Sequence, residues 1–144
     1  MEIRRSALLE RSAEDIFDVI EGAEHYPEFL PGCESVTILE RDESIIAARV
    51  AVSWHGLRFA FTTRNPKRRP EWLAVRLVEG GAFRLLEGEW TLSALSPNAC
   101  KVEFVLRCEL QGPIAKRLGR MVIERVADAL MEAYVARARC VTVH

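Results

Sequence analysis

The chain has 144 residues, 49% of them hydrophobic and 28% charged, which is the composition of one soluble globular domain. Its 20 basic and 21 acidic residues leave a formal net charge of −1, so no bulk charge favours nucleic acid or an anionic membrane as a partner. No apolar run approaches the roughly 20 residues that a membrane span requires, and the charged N-terminus leads us to expect no signal peptide.

The chain begins with a predicted strand and a predicted helix. Residues from Ile3 to Glu10 alternate loosely in hydropathy, which predicts a strand. Ser12 precedes two acidic residues, as expected for a helix N-cap whose first turn carries negative charge. Gly22 ends this helix. Its apolar face consists of Ile16, Phe17 and Ile20.

Six further strands are predicted after the segment from His25 to Cys33, because the hydropathy period changes there to two. His55-Gly56 is typical of a hairpin turn, and Asn65 to Pro70 is predicted to be a loop. Gly88 is expected at a bulge or a sharp bend. Because each strand is apolar on one face only, we predict one curved antiparallel sheet of about seven strands.

The C-terminal part of the chain is predicted to be one long amphipathic helix. Pro113 suits the first turn of a helix, and the helical period continues to about Arg139. A straight helix laid across the concave face of a bent sheet cannot touch that face along its whole length. The space between them is either filled by aromatic side chains or left as an apolar cavity, which is a common kind of ligand site. We therefore predict an α+β fold with one domain over residues 1–144.

Several short motifs occur along the chain: YPEFLPGC at 26–33, FTTRN at 61–65, LVEG at 77–80, and Phe83 with Gly88 and Trp90 beyond it. In these motifs and in their order the chain resembles the family of coenzyme Q-binding proteins and ribosome-association toxins over essentially its whole length. That family belongs to the START-like superfamily of lipid-binding and polyketide-cyclase-like domains. The resemblance implies the helix-grip fold, in which the curved sheet wraps around the long C-terminal helix.

One departure from the family pattern lies between the fifth and sixth strands. The family usually has an acid-Gly-Pro-Phe sequence there, whereas this chain has Glu79-Gly80-Gly81-Ala82-Phe83. The turn is one residue longer and lacks the proline, so we expect it to be more flexible beside any pocket. Phe83 keeps its spacing to Trp90, which predicts that the sixth strand keeps its register.

The resemblance implies first a carrier or chaperone for a hydrophobic ligand. Ubiquinone or another isoprenoid would lie under the C-terminal helix and support respiratory electron transport, with no covalently bound cofactor. Alternatively, the same side chains pack into a solid core, because their hydropathy pattern is the same in both cases. The candidate lining residues on the strands and on the helix are Trp54, Phe59, Phe61, Phe83, Trp90, Phe104, Leu118, Val122 and Val126.

The segment from His25 to Cys33 carries more apolar side chains than a surface loop needs. In a helix-grip fold it would cross the open edge of the sheet near the pocket entrance, where Pro27 and Pro31 would hold it on an irregular path. Its apolar side chains would then either plug that end of the core or line the pocket. They are Tyr26, Phe29 and Leu30.

The second function that the resemblance implies is ribosome association, by a toxin that binds the large ribosomal subunit and blocks subunit joining. The feature relevant to it here is a run of basic residues in the predicted loop: Arg64, Lys67, Arg68 and Arg69. They would contact RNA phosphates, or the anionic surface of a membrane that donates lipid. A solvated basic loop is the alternative. We expect a cytoplasmic protein, with peripheral contact at the inner membrane surface in the case of a lipid carrier.

No catalytic constellation is evident in the sequence. The histidines at 25, 55 and 144 are far apart, and His25 follows a helix end, where a capping or surface role is usual. Nucleophile-elbow, zinc-protease and phosphate-loop motifs are absent from the sequence. The cysteines form no C-x-x-C pair, so we expect reduced, mostly buried thiols and no metal site. We therefore predict a binding protein rather than an enzyme. The cysteines are Cys33, Cys100, Cys108 and Cys140.

Overall fold

The computed structural model describes residues 1–54 and 56–140, so the expectations for His55 and His144 fall outside the described residues. Helices and strands follow one another in the predicted order. The strands are β1 (Glu2–Leu9), β2 (Cys33–Arg41), β3 (Ile45–Trp54), β4 (Leu57–Arg68), β5 (Trp72–Glu79), β6 (Phe83–Ser96) and β7 (Ala99–Leu110). The helices are α1 (Ala13–Glu21), α2 (Tyr26–Phe29), α3 (Pro113–Arg117) and α4 (Arg120–Cys140), with a 3₁₀ turn at Ala23–His25.

The strands form one sheet in the order β1-β7-β6-β5-β4-β3-β2, and all neighbouring strands are antiparallel. Alternation along each strand turns the apolar side chains to one face; on β6, for example, Trp90 and Leu92 are buried while their neighbours are exposed. The predicted α+β fold, a seven-stranded antiparallel sheet with a long C-terminal helix, is confirmed.

The predicted start of α1 is also confirmed. The Ser12 side chain accepts a hydrogen bond from the backbone N–H of Asp15 at 3.1 Å, and Glu14 and Asp15 lie in the first turn. Both features satisfy or complement the free N–H groups at a helix N-terminus. Gly22 follows the last residue of the helix, as expected.

The prediction of a bulge at Gly88 is wrong. This residue pairs in register with Val75 on β5 and with Leu106 on β7. A Cβ atom at Gly88 would lie 3.2 Å from the ring of Phe104 and 3.2 Å from the Cβ of Val75. The glycine therefore makes room for an aromatic ring on the inner face of the sheet and does not interrupt the pairing of β6 with its neighbours.

The prediction of a loop at Asn65 to Pro70 is wrong for Asn65 to Arg68, because β4 continues to Arg68, and is confirmed for Arg69 and Pro70, which lie in a turn. The N–H of Lys67 donates to the carbonyl of Ser44 beside β3, so the neighbouring Pro66 has its missing N–H on the side of β5. Pro66 thus interrupts pairing with one neighbouring strand but leaves pairing with the other intact. Asparagine, proline and closely spaced charges are typical of loops, and here Asn65, Pro66, Lys67 and Arg68 lie in a strand.

The C-terminal helix is not continuous. It consists of α3 and α4, separated by Leu118, which has an extended backbone with φ −112° and ψ 97°, and by Gly119. The break places the short α3 between the end of β7 and the long α4. Among the described residues no helix is both long enough and apolar enough to cross a membrane.

The segment after α1 is helical where an irregular path was expected. A 3₁₀ turn leads into α2, and Pro27 lies in the first turn of α2, where its missing N–H costs nothing. Pro31 follows the end of α2, as is common for a residue that cannot continue a helix.

The tightly packed core lies at one end of the concave face. There α1 and α4 pack against each other and against β1 and β6. Phe17 is 1% exposed and Cys100 is fully buried. Other members of this core are Leu9, Ile16, Trp90, Leu92, Val102 and Ala138.

Candidate functional site

A cavity of about 300 Å³ lies between the concave face of the sheet and α4. Its lining is mainly apolar and comes from strands β2 to β7, from α4, and from the end of α1 and the segment that follows it. Apolar cavities of this size suit small hydrophobic ligands. Ten of the twelve residues predicted as ligand contacts line it: Tyr26, Leu30, Trp54, Phe59, Phe61, Phe83, Trp90, Phe104, Leu118 and Val126.

Phe29 and Val122 do not line the cavity. The Phe29 ring packs edge-on against the rings of Tyr26 and Tyr134, with centroids 5.8 Å away in both cases. The guanidinium of Arg137 lies 5.1 Å from the centroid of the same ring. Of the three apolar side chains that were predicted to plug or line this end, Tyr26 and Leu30 line the cavity, and Phe29 packs outside it.

Two tyrosines connect this segment to α4. The hydroxyl of Tyr134 donates to the hydroxyl of Tyr26, which in turn donates to the backbone carbonyl of Ile20. Burial raises the pKa of both phenols, so they are neutral at physiological pH. This chain of hydrogen bonds fixes α2 against α1 and α4 at one side of the cavity.

One end of the cavity is aromatic. The ring centroids of Phe59 and Phe61 are 5.8 and 5.3 Å from that of Phe83, both in edge-to-face contact. Gly80, in the turn that departs from the family pattern, approaches this cluster closely, because a Cβ there would lie 2.6 Å from the Cβ of Phe61. Glycine at this position therefore serves packing as well as the turn.

The other end of the cavity carries polar side chains that were not among the predicted ligand contacts. Thr63 and Asn65 line it from β4, and Glu21 lines it from the end of α1. The signal was present in the period-two pattern, since residues 59, 61, 63 and 65 share one face of a strand. This pattern is hard to recognise in the sequence, because asparagine and proline at positions 65 and 66 are typical of a loop.

Two thiols also line the cavity, Cys33 and Cys108. All four cysteines of the chain are free, and Cys140 is exposed. Burial raises the pKa of both cavity thiols, so they add no charge to the lining at neutral pH.

The basic residues predicted to contact RNA or membrane are paired with carboxylates of the same chain. Lys67 is the most enclosed: its side chain is 9% exposed, and its Nζ lies 3.1 Å from the Oε1 of Glu21. Arg69 makes a two-pronged contact with Asp18, at 2.9 and 3.0 Å. The other two pairs are more exposed: Arg64 with Glu40, and Arg68 with Glu71 at 3.8 Å. This strand end is therefore largely neutralised by acidic neighbours.

A different group of cations is exposed where the C-terminal helix breaks. Lys116, Arg117 and Arg120 are exposed, and Met121 beside them is 68% exposed. Among the described residues Lys116 and Arg117 have no carboxylate partner, and Arg120 has Glu124 at 3.6 Å. We call Lys116–Met121 the helix-break segment. From Gln111 to Ile123 the sequence contains no acidic residue, so this surface is positively charged.

His25 lies on the surface, away from the cavity lining. Its side chain is 57% exposed, and its Nδ1 lies 2.7 Å from a carboxylate oxygen of Glu28. The pKa of that carboxyl is lowered by hydrogen bonds from His25 and Arg137. Within the described part of the chain, no group of three or more His, Cys, Asp and Glu side chains is placed to hold a metal ion.

Sequence comparison identifies the family of this chain. Residues 9–135 match the family described as polyketide cyclase / dehydrase and lipid transport, and the chain belongs to it. The chain is 35% identical over 137 residues to the ribosome association toxin RatA of Pseudomonas aeruginosa, covering 95% of this chain and 94% of that protein. It is 34% identical over 138 residues to the protein of the same name from Escherichia coli, covering 96% and 87%. The predicted resemblance is therefore confirmed.

Comparison with solved structures supports the same fold. An aromatase/cyclase from a Streptomyces species superposes with a TM-score of 0.84 at 19% identity, covering 96% of this chain and 93% of the other. A protein from Thermus thermophilus superposes with a TM-score of 0.85 at 16% identity, covering 99% and 100%. At these identities the likeness shows the START-like fold and carries no information about activity.

Proposed function

We propose that this protein associates with the ribosome. The observation that carries the proposal is the similarity to proteins named ribosome association toxins, at 34–35% identity over 95–96% of the chain. A relationship of that extent spans every element of the fold, so it is not confined to a shared core. Following the family resemblance, we take the large ribosomal subunit as the partner and hindrance of subunit joining as the effect.

The helix-break segment is the surface that we assign to this contact. It carries three cations within five residues, and two of them have no carboxylate partner among the described residues. Ribosomal RNA presents a dense array of phosphates, and exposed lysine and arginine side chains bind phosphates without reading sequence. The basic residues of β4 are weaker candidates, because binding RNA would require them to exchange existing carboxylate partners.

The test is sedimentation of the purified protein with isolated ribosomal subunits through sucrose, at several salt concentrations. We expect the protein to sediment with the large subunit and to dissociate as salt rises, because phosphate contacts release bound counterions. A protein that stays at the top of the gradient at every salt concentration, with both subunits, would refute ribosome association. Sedimentation with the small subunit alone would refute the choice of partner.

The second candidate function is the binding of an apolar ligand, and the cavity of about 300 Å³ favours it. Leaving apolar side chains around an empty space sacrifices packing contacts, so a ligand that fills the space restores them. An isoprenoid such as ubiquinone is the ligand class that we take from the family resemblance, because its apolar chain suits a mainly apolar lining. The family description includes lipid transport, which agrees with this candidate.

A cavity-filling variant separates the two functions. Val126 lines the cavity from α4, whereas Val105 alternates with cavity residues on β7 and does not line it. We expect Val126→Phe to reduce binding of a short-chain ubiquinone at least about tenfold, since the new ring occupies the space. Val105→Phe is the matched control. Sedimentation with ribosomes should be unchanged in both variants, and a loss in Val126→Phe alone would mean that the two functions are coupled.

The proposed role is binding rather than catalysis, and we expect the protein in the cytoplasm, where ribosomes are available. Peripheral contact with the inner membrane would accompany ligand exchange in the second candidate function. Cell fractionation distinguishes these locations, since ribosome-bound and membrane-bound protein pellet under different conditions.

A further inference from the structure

We propose that the cavity holds its ligand in one orientation, with a neutral hydrogen-bond-accepting oxygen against Thr63 and Asn65 and the apolar remainder against the aromatic end. The chemical class is an apolar molecule that carries a carbonyl-type oxygen. This inference rests on the second candidate function, the binding of an apolar ligand in the cavity.

The inner face of β4 changes character along its length. Phe59 and Phe61 belong to the aromatic end, Thr63 and Asn65 follow at two-residue intervals, and Lys67 continues the same face. Residues two apart on a strand are separated by roughly 7 Å, so the change from aromatic to polar spans the length of a small ligand. A single strand therefore gives the cavity an apolar end and a polar end.

The Thr63 hydroxyl is a free donor at the polar end. Thr63 is 4% exposed and lines the cavity. It forms no side-chain hydrogen bond with any other residue in the described ranges. A hydroxyl that faces an apolar cavity and has no protein partner gains a hydrogen bond when a ligand oxygen is placed against it.

Asn65 offers a second donor, because its amide orientation is fixed by the sheet. The pairing of β4 with β5 is interrupted between Thr63↔Leu77 and Lys67↔Leu73, where Pro66 has no N–H to donate. In this gap the backbone N–H of Arg76 donates to the Oδ1 of Asn65 at 3.2 Å. Since the oxygen must face that donor, the amide nitrogen keeps its two hydrogens for another partner, and it has none among the described residues.

The charges around the polar end favour a neutral oxygen over a carboxylate. Glu21 lines the cavity there and already contributes a negative charge. Its carboxylate is bound by Lys67 at 3.1 Å and by Arg41 at 2.8 Å. A second carboxylate would compete for cations that are already engaged, whereas a carbonyl oxygen needs only the donors of Thr63 and Asn65.

The experiment measures binding of decylubiquinone to the full-length protein by quenching of tryptophan fluorescence, since Trp54 and Trp90 line the cavity. The variant Thr63→Val keeps the shape and removes the hydroxyl. Thr62→Val is the matched control, because Thr62 is a neighbouring threonine that is also buried but does not line the cavity. We expect Thr63→Val to weaken binding by about 3- to 10-fold, the usual effect of one neutral hydrogen bond, and Thr62→Val to leave it unchanged.

A second variant tests the amide independently. Asn65→Asp retains an oxygen for the Arg76 N–H but replaces the donor with an acceptor, so we expect at least about a tenfold loss of decylubiquinone binding. Competition with pristane, a branched hydrocarbon without oxygen, and with palmitate tests the head group. Pristane and palmitate should each displace decylubiquinone less well than ubiquinone-2 does.

The results test separately the orientation of the ligand, the chemistry of its head group and ligand binding itself. Equal binding by the wild type, Thr63→Val and Asn65→Asp would overturn the orientation while leaving ligand binding intact. Tighter binding of palmitate than of decylubiquinone would overturn the neutral head group. If the folded wild type binds neither decylubiquinone, pristane nor palmitate, the second candidate function fails, and this inference fails with it.

Discussion

Two regions of this protein are both rich in lysine and arginine but have different surroundings. The segment from Arg64 to Arg69, the end of β4 together with the turn residue that follows it, carries four basic side chains, and each of them lies beside a carboxylate. The helix-break segment carries three, of which Lys116 and Arg117 have no carboxylate partner among the described residues. A count of charges along the sequence favours the first region as the site for an anionic partner. In the structure, the second region has more cations without a carboxylate partner and is therefore more available to bind one.

The difference shows how a fold neutralises charge. Asp18 and Glu21, the partners of Arg69 and Lys67, come from α1, and Glu40, the partner of Arg64, comes from β2, so these pairs form only once the chain has folded. These ion pairs attach the end of β4 to α1 beside the cavity. The cations of the helix-break segment face solvent, where they remain free to meet an anionic partner.

The largest expected effect concerns ribosome binding. Replacing Lys116, Arg117 and Arg120 by Gln should weaken binding strongly and reduce the slope of log affinity against log salt by about 3, roughly one for each RNA phosphate that is no longer neutralised. Sedimentation over a salt series measures this slope. The comparison variant replaces Arg64, Arg68 and Arg69 by Gln, and a larger drop in affinity for that variant would reverse the assignment of the two regions.

The second prediction concerns stability at the end of β4. Glu21→Gln leaves the enclosed Lys67 without a charged partner and should lower the free energy of unfolding by about 2–3 kcal/mol, less than for a fully buried pair because Glu21 is 18% exposed. Urea denaturation measures the change. Glu40→Gln, which removes the exposed partner of Arg64, is the control and should cost less than about 1 kcal/mol. Equal decreases in the two variants would mean that Lys67 is not specially dependent on its partner.

The smallest effect is expected at Arg69. Its pKa is raised mainly by the hydrogen bond to Asp18, but both side chains are more than half exposed, so solvent screens their attraction. Arg69→Gln should lower the free energy of unfolding by only about 0.2–1 kcal/mol and leave ribosome sedimentation unchanged. Thermal and urea denaturation provide the first value. A clear loss of ribosome binding in this single variant would contradict the structural role that we give to the end of β4.

Much of the fold could be predicted from the sequence because its signals are local. Alternation along each strand, the Ser12 N-cap and the amphipathic C-terminal segment are all properties of neighbouring residues. The continuation of β4 past Asn65 depends instead on tertiary contacts. Asn65 and Pro66 are tolerated in a strand because β3 pairs on one side and the Asn65 side chain takes up a backbone donor on the other.

The cavity itself could be predicted only in part. Val102 and Val126 follow equally regular apolar patterns, but Val102 is 2% exposed in the solid core and Val126 lines the cavity. The distinction depends on how far α4 lies from each part of the curved sheet, and no local pattern records that distance. Thr63 and Asn65 were missed for a related reason, since polar residues on an inward face are informative only when the strand is known to continue.

The most direct test of the proposed function is an electron cryomicroscopy map of this protein bound to the ribosome. We expect density for the protein on the large subunit, with Lys116, Arg117 and Arg120 against the ribosomal RNA backbone and the end of β4 turned away from it. A complex in which the helix-break segment faces solvent, or in which the protein occupies the small subunit alone, would contradict this expectation.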